Sequence, residues 1–328
     1  MNSRTRLRDN DGFALILTIL IVSLILVLTL QFSRSVRCAL YSSVNLKDGI
    51  RVGYMARSGF NCALALLSED AANNALDSLL EPWANAMRLS DYSTRMFDNG
   101  RFELDIVDLS GKIQINRLIE KDGTFNDGQR AVLLRFLSSA PFALDADTAE
   151  NLVDAIKDWI DPDSEPTRFG AETSTYQGLD PPRICKNGPL EAMGELLWVK
   201  GMTRKLLYGT GELPGISDYL TVHGEGPINV NTADPLILKS LSEAMDASLV
   251  EAMDEYRKNE SNDLKDENWY KNVSGMAHIT IDPALITTKS HHFKIRSTGV
   301  SGTLKKVVLG IVKREDKKSV KTLVWRIE

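Results

Sequence analysis

The chain is short of the residues that build metal cages and covalent catalytic centres. It has three cysteines in 328 residues. Cys38, Cys62 and Cys185 show no metal-binding spacing, and no Cys-x-x-Cys pair occurs, which removes the zinc-ribbon and dithiol classes. If Cys38 and Cys62 share one helix, they lie roughly 36 Å apart along it and cannot pair. A Cys62–Cys185 disulfide and three free thiols both stay open. The four histidines make no cluster: His291 and His292 would point to opposite faces of a strand, and His223 and His278 stand alone. No P-loop and no ordered Ser/His/Asp arrangement is present. Positive charge is in deficit, with Lys+Arg 39 against Asp+Glu 44, a net charge of −5 and a pI near 5.6. A general nucleic-acid binder needs a basic face to meet phosphates, so that class is disfavoured.

One uncharged run stands out, Phe13–Leu30, broken only by Thr18, Ser23 and Thr29. At a helical rise it covers roughly 27 Å, close to a bilayer's hydrocarbon core. In lipid it must be helical, because only a helix satisfies its own backbone groups. Arg4, Arg6 and Arg8 precede it and point the N-terminus toward the cytoplasm. A cleaved secretory signal is one reading, but no A-x-A-like site follows Leu30. A plain membrane anchor is another. The stretch Asp11-Gly12-Phe13-Ala14-Leu15, with its basic leader, resembles a type IV prepilin processing site. That resemblance implies cleavage after Gly12 and methylation of Phe13 as the new N-terminus. Pilin-like proteins usually carry Glu as the fifth mature residue; here the position is Leu17.

About 300 residues lie outside the membrane segment, enough for one large or two smaller domains. From Gln31 to Asp70 a helical pattern continues, with Leu40, Val44, Ile50, Tyr54, Phe60, Leu64 and Leu67 recurring at turn spacings. A helix Phe13–Asp70 would be about 90 Å long. Asn73–Gly100 is less regular. In Arg101–Arg117 the period changes to two, and Asp108-Leu109-Ser110-Gly111 carries turn chemistry, so a β-hairpin with Gly111 in the turn is expected. Helices are then expected at Asp127–Ser138, at Asp147–Ile160 with Asp147 as N-cap, at Pro189–Val199 and at Thr203–Tyr208. A helical pair follows, Asp234–Met245 and Ala247–Lys258. Strands return at Phe293–Arg296, Thr303–Val312 and Val320–Ile327, with a charged turn at Lys313–Lys318. The class is α+β: an antiparallel sheet on a long helix, with an α-domain inserted between strands.

The strongest candidate site is an acidic loop. Asp161, Asp163 and Glu165 stand at positions 1, 3 and 5 of a run, and Glu172 at position 12. That is the oxygen-ligand spacing of a calcium loop, entered from a helix that ends at Ile160. Pro166 sits where an EF-hand needs Gly, so the expected site is a convergent calcium loop, with Asp158 and Asp180 as outer candidates. The plain alternative is a solvated acidic loop. An acid–base pair of Asp161 and Asp163 is poorer, since nothing in the sequence drives their pKa values apart.

Five segments in order resemble the general secretion pathway protein K family, minor pseudopilins of type II secretion systems. They are Asp105–Asn116, Asp158–Asp163 with Gly170-Ala171-Glu172, Lys186–Leu190, Glu195–Met202 and Ile228–Ala233. The resemblance implies a type IV pilin-like fold with a large inserted α-helical domain, calcium at the acidic loop and no enzymatic activity. It divides the chain into a leader (1–12), a transmembrane helix (13–30), a first pilin-like part (31–118), the inserted α-domain (119–226) and a second pilin-like part (227–328). The protein would sit in a bacterial inner membrane by a single pass, its C-terminal domain in the periplasm. Implied partners are the minor pseudopilins I and J, the major pseudopilin, the prepilin peptidase, the inner-membrane assembly platform and exported substrates. Missing Glu at Leu17 and the bulk of the insert argue for one copy at the pseudopilus tip, helping to initiate assembly. The rival is DNA binding, because Ile228–Ala233 and the following helices resemble the helix-hairpin-helix of competence DNA receptors. The connection Ser242–Ala247 has no Gly and two acids, which would repel phosphate.

Overall fold

The computed structural model describes residues 10–315 and 319–328. Residues 1–9 of the expected leader, and 316–318 of the expected charged turn, lie outside the described residues. Helix α1 runs Asn10–Asn73, longer at both ends than expected. Its residues Phe13–Leu30 are all exposed, and the helix is long and apolar enough to cross a membrane.

The C-terminal half of α1 lies on a four-stranded antiparallel sheet. The strands are β1 (Arg101–Asp108), β6 (His292–Ser301), β7 (Leu304–Glu315) and β8 (Ser319–Ile327), in the order β1-β6-β7-β8. Ala56, Phe60, Ala63 and Leu67 recur at helical spacing and are buried against Phe102, Leu104, Ile106, Phe293, Ile295, Val308 and Val312. The strand residues alternate, which puts them on the one sheet face that meets the helix. Close approach needs glycine. A Cβ on Gly59 would lie 2.3 Å from Ser297 Oγ, and one on Gly299 would lie 2.1 Å from the carbonyl of Val52. A short helix, α2 (Met87–Ser93), covers the outer edge of β1.

The hairpin expected at Gly111 does not form. β1 pairs with β6, Asp108 opposite Phe293, and β2 (Ile113–Gln114) pairs in parallel with β3 (Leu220–Thr221). The chain leaves the sheet after Asp108, whose carboxylate accepts a 2.7 Å bond from the Ser110 amide. Gly111 then passes so close to Thr232 that a Cβ there would lie 2.7 Å from its hydroxyl.

Everything between β1 and β6 is the inserted domain, with β4 (Ile228–Asn229) and β5 (Ile286–Thr287) as its other parallel pair. Its helices are α3 (Asp127–Ser138), α4 (Ala146–Ile160), α5 (Thr173–Gln177), α6 (Arg204–Tyr208), α7 (Pro235–Ser240) and α8 (Ala247–Arg257). One apolar core runs through it from Ile113 to Ile286. The boundary expected at 226 is therefore corrected: the helical pair α7–α8 buries Ile237, Leu238, Val250 and Met253 in the same core as Val132 and Phe136. Arg135 of α3 donates to the carbonyls of Ser240 and Leu241 at the end of α7, at 2.6 and 3.2 Å. Two helix limits also move. The N-cap of α4 is Asp145, which accepts from the Thr148 amide at 2.9 Å, and not Asp147. The expected helix Pro189–Val199 is reduced to a 3-10 turn at Met193–Trp198.

A buried polar hub joins the two parts. Arg314 at the end of β7 pairs with Asp70 at 2.8 Å and Asp77 at 2.5 Å, and donates to the carbonyl of Ser290 at 2.7 Å. Beside it, Asp108 accepts from the hydroxyls of Ser290 and Thr232, at 2.5 Å each. The cysteines Cys38, Cys62 and Cys185 are free.

Candidate functional site

The acidic loop lies between two helix ends, and its geometry follows from them. α4 carries Leu152, Val153, Ile156 and Ile160 into the core. Pro162 cannot follow a helical residue comfortably, and Asp161 is accordingly extended, with ψ of 160°. It becomes the C-cap of α4, its side chain held by Lys157 one turn back. At the other end, Glu172 is the N-cap of α5, accepting from the Thr173 amide at 3.2 Å. The loop between them returns on itself because Asp158, fully buried, accepts from the Thr167 amide at 3.1 Å. Gly170 fits over Asp158 only for want of a side chain; a Cβ there would lie 1.9 Å from Asp158 Oδ2.

Asp161, Asp163 and Glu172 each offer an oxygen, and the three lie within 4.8 Å of one another. Glu165 does not join them. It is exposed, and its backbone amide donates to Asp163 Oδ1 at 2.8 Å. Asp158 supports the loop from beneath, and Asp180 is exposed and outside the group. Asp161 is 0% and Glu172 2% exposed, while Asp163 opens to solvent. Burial raises the pKa of both Asp161 and Glu172, opposed at Asp161 by Lys157 and reinforced at both by neighbouring carboxylates.

The donor set fits a hard cation. Asp161 Oδ1 and Glu172 Oε1 are buried and find no hydrogen-bond donor among the described residues. Unpaired buried acceptors are costly, and two of them converge with a third carboxylate in an oxygen-only group of the kind Ca²⁺ accepts. Asn187 was missed by sequence reasoning. Its amide nitrogen donates to the Asp163 carbonyl and its Oδ1 is likewise buried and unpaired. Only its place in Lys186–Leu190 hinted at a role. Lys157 was missed as well, although a lysine four residues before the loop's first Asp is a readable helix pairing.

Of the expected processing residues, Gly12 and Phe13 lie near the start of α1, exposed and helical. His292 is buried and His291 half-buried in the sheet.

A long helix with an apolar, exposed run at Phe13–Leu30, packed in its second half on an antiparallel sheet, has the layout of a pilin-like fold, with one candidate membrane-crossing helix among the described residues. A family model described as type II secretion system protein K matches residues 111–208. Type II secretion system protein K of Pseudomonas aeruginosa is 26% identical over 246 residues, covering 72% of this chain and 69% of that one. A putative type II secretion system protein K of Escherichia coli K12 is 27% identical, covering 60% of each chain. The chain thus spans about two thirds of the length of these relatives. The fold matches the crystal structure of the GspK–GspI–GspJ complex from the type 2 secretion system of enterotoxigenic Escherichia coli. The TM-score is 0.67 at 18% identity, over 87% of this chain and 99% of that one. Over residues 111–208 by the family model, and over 60–72% of its length by these relatives, the chain is similar to type II secretion system protein K.

Proposed function

We propose that the protein is a minor pseudopilin of a type II secretion system, working by assembly and not by catalysis. The observation that carries this is the architecture itself. α1 presents an apolar, exposed run at Phe13–Leu30, and a domain running from Ile113 to Ile286 is inserted between β1 and β6. The first half of α1 anchors the chain in the bacterial inner membrane and later packs among neighbouring subunits. The sheet and inserted domain stand in the periplasm. A prepilin peptidase cuts between Gly12 and Phe13, and the new N-terminus is methylated.

The minor pseudopilins I and J are the proposed partners, with the major pseudopilin below and exported proteins above. Tip placement follows from Leu17. A carboxylate in lipid is expensive unless paired, so a subunit carrying Glu here favours a site with a neighbouring amine. Leu17 removes that need. Calcium is the proposed ligand of Asp161, Asp163 and Glu172, with Asn187 Oδ1 as a further oxygen. There it would satisfy the unpaired acceptors and tie the end of α4 to the start of α5. Nothing favours the nucleic-acid reading: the α7–α8 connection exposes Glu243 and Asp246.

Co-expression with the I and J pseudopilins in a membrane-bound form tests the role. A stable three-protein complex with this chain in one copy is expected. Recovery of this chain alone, or in repeated copies along a filament, would refute it.

A further inference from the structure

The two edges of the sheet are finished differently. At β1 the outward backbone groups are occupied by α2: Ser90 Oγ accepts from the Leu104 amide at 2.9 Å, and Ser93 Oγ accepts from the Phe102 amide at 3.1 Å. No such cover lies on β8, among the described residues. Eight of its nine residues are exposed, among them Leu323 at 40%, Trp325 at 45% and Ile327 at 41%. Its register settles which backbone groups are free. Glu328 exchanges both bonds with Val307, at 3.1 and 2.9 Å. By the antiparallel alternation, Arg326 and Val324 also bond inward to β7, and Trp325 and Ile327 direct their N–H and C=O groups outward. A long edge with apolar side chains and free backbone groups is a template for strand pairing.

We propose that β8 docks an extended, acidic segment of another protein, which joins the sheet as a fifth strand. This goes beyond the secretion role and does not depend on it. Charge selects the occupant. The chain as a whole is acidic, but this edge is basic. Lys321 and Arg326 stand on β8, Arg326 paired at 2.6 Å with Glu328 just beyond its end, and Lys321 without a carboxylate partner among the described residues. Beside it a groove of about 300 Å³ has an apolar floor that includes Leu309, Ile311 and Val324, with Lys112, Lys294 and Arg326 around it and Glu191 as its one acid among the described residues. On the other face, the Arg57 guanidinium lies over the Trp325 ring at 5.5 Å. An added strand sets alternate side chains over the groove and beside Arg57. With acids at alternate positions, the carboxylates all lie on one face of the added strand, over the groove cations or beside Arg57, and the apolar residues lie on the other. A second copy of this chain is disfavoured, since pairing two β8 strands brings Lys321 and Arg326 of each to one seam.

The test uses the full chain in detergent micelles. The probe is a labelled ten-residue peptide of alternating valine and glutamate, and the control alternates valine and lysine. The acidic peptide is expected to bind saturably, about tenfold or more tighter than the basic one, weaken with salt and protect β8 amides from hydrogen exchange. Ile327→Pro removes an outward N–H without touching the β7 ladder, and should lose about tenfold in affinity, whereas Ile327→Ala keeps the N–H and most of the binding. Should Ile327→Pro not fold, Lys321→Glu with Arg326→Glu serves instead and should reverse the peptide preference. Equal binding of the two peptides, unprotected β8 amides, or a dimer joined through β8 in sedimentation would each overturn the proposal.

Discussion

Replacing Arg314 with Met should cost more stability than any other single surface-to-core change at the junction of the two domains. The guanidinium is 9% exposed, and its partners Asp70 and Asp77 are 4% and 2% exposed. Met keeps most of the aliphatic volume that packs on Phe293, whose ring lies 5.0 Å from the guanidinium. What disappears is the cation, leaving two buried carboxylates to face each other. Asp70 already has its pKa raised, chiefly by burial, then by Asp77. Breaking a buried pair in this way costs about 3–5 kcal/mol. For a domain of this size that lowers Tm by roughly 6–20 °C. Removing the cation takes away what lowers the Asp70 pKa and so raises it further, and a raised folded-state pKa gives stability that is present at low pH and lost as pH rises. The deficit should therefore be large at pH 7 and shrink toward pH 4. Thermal melting of the full chain in detergent, followed by limited proteolysis across that range, measures both quantities. A Tm drop under about 2 °C at pH 7, or one that does not shrink on acidification, would refute the reasoning. Adding Asp70→Asn and Asp77→Asn to Arg314→Met should restore part of the loss, because neutral groups need no counter-charge.

Asp108 gives a second pH signature: burial holds its pKa at about 6, against hydrogen bonds from Ser290 and Thr232 that lower it. Its contribution is complete below about pH 4 and lost as pH rises through about 6, on the order of 3 kcal/mol, and Asp108→Asn should flatten urea-melt stability over that window; an unchanged slope would count against it. Excess calcium at one hundred times Kd should stabilise the chain by about 2.7 kcal/mol, chelator should reverse this, and Asp161→Ala with Asp163→Ala should remove the difference. Lys157→Met should tighten calcium binding in isothermal titration, since Lys157 occupies Asp161; unchanged affinity would show that the lysine does not compete. Gly170→Ala should destabilise by about 1–3 kcal/mol through overpacking on Asp158, and a neutral melt would disprove the close fit.

Features that depend on near neighbours could be read from the sequence alone. The apolar run Phe13–Leu30 and the turn-spaced residues after it specified α1, because a helix makes its hydrogen bonds four residues away. Alternation located β6, β7 and β8, and the helical spacing of Val132, Leu133 and Phe136 placed α3 at Asp127–Ser138. The carboxylate spacing 161, 163, 172 marked the loop, since all three ligand candidates come from one short segment. Contacts between distant parts of the chain were decided only by the tertiary structure. β1 finds its partner in β6, nearly the whole inserted domain later, and a period of two says nothing about which strand pairs with which. Arg314 meets Asp70 and Asp77 across 244 and 237 positions. Glu165 looked like a ligand by number but is exposed and outside the group of Asp161, Asp163 and Glu172. Burial of α7 and α8 in the inserted core, and the bareness of β8, likewise follow from which surfaces the folded chain covers. Local periodicity carries the elements, and only the packed whole settles which of their faces and edges remain free.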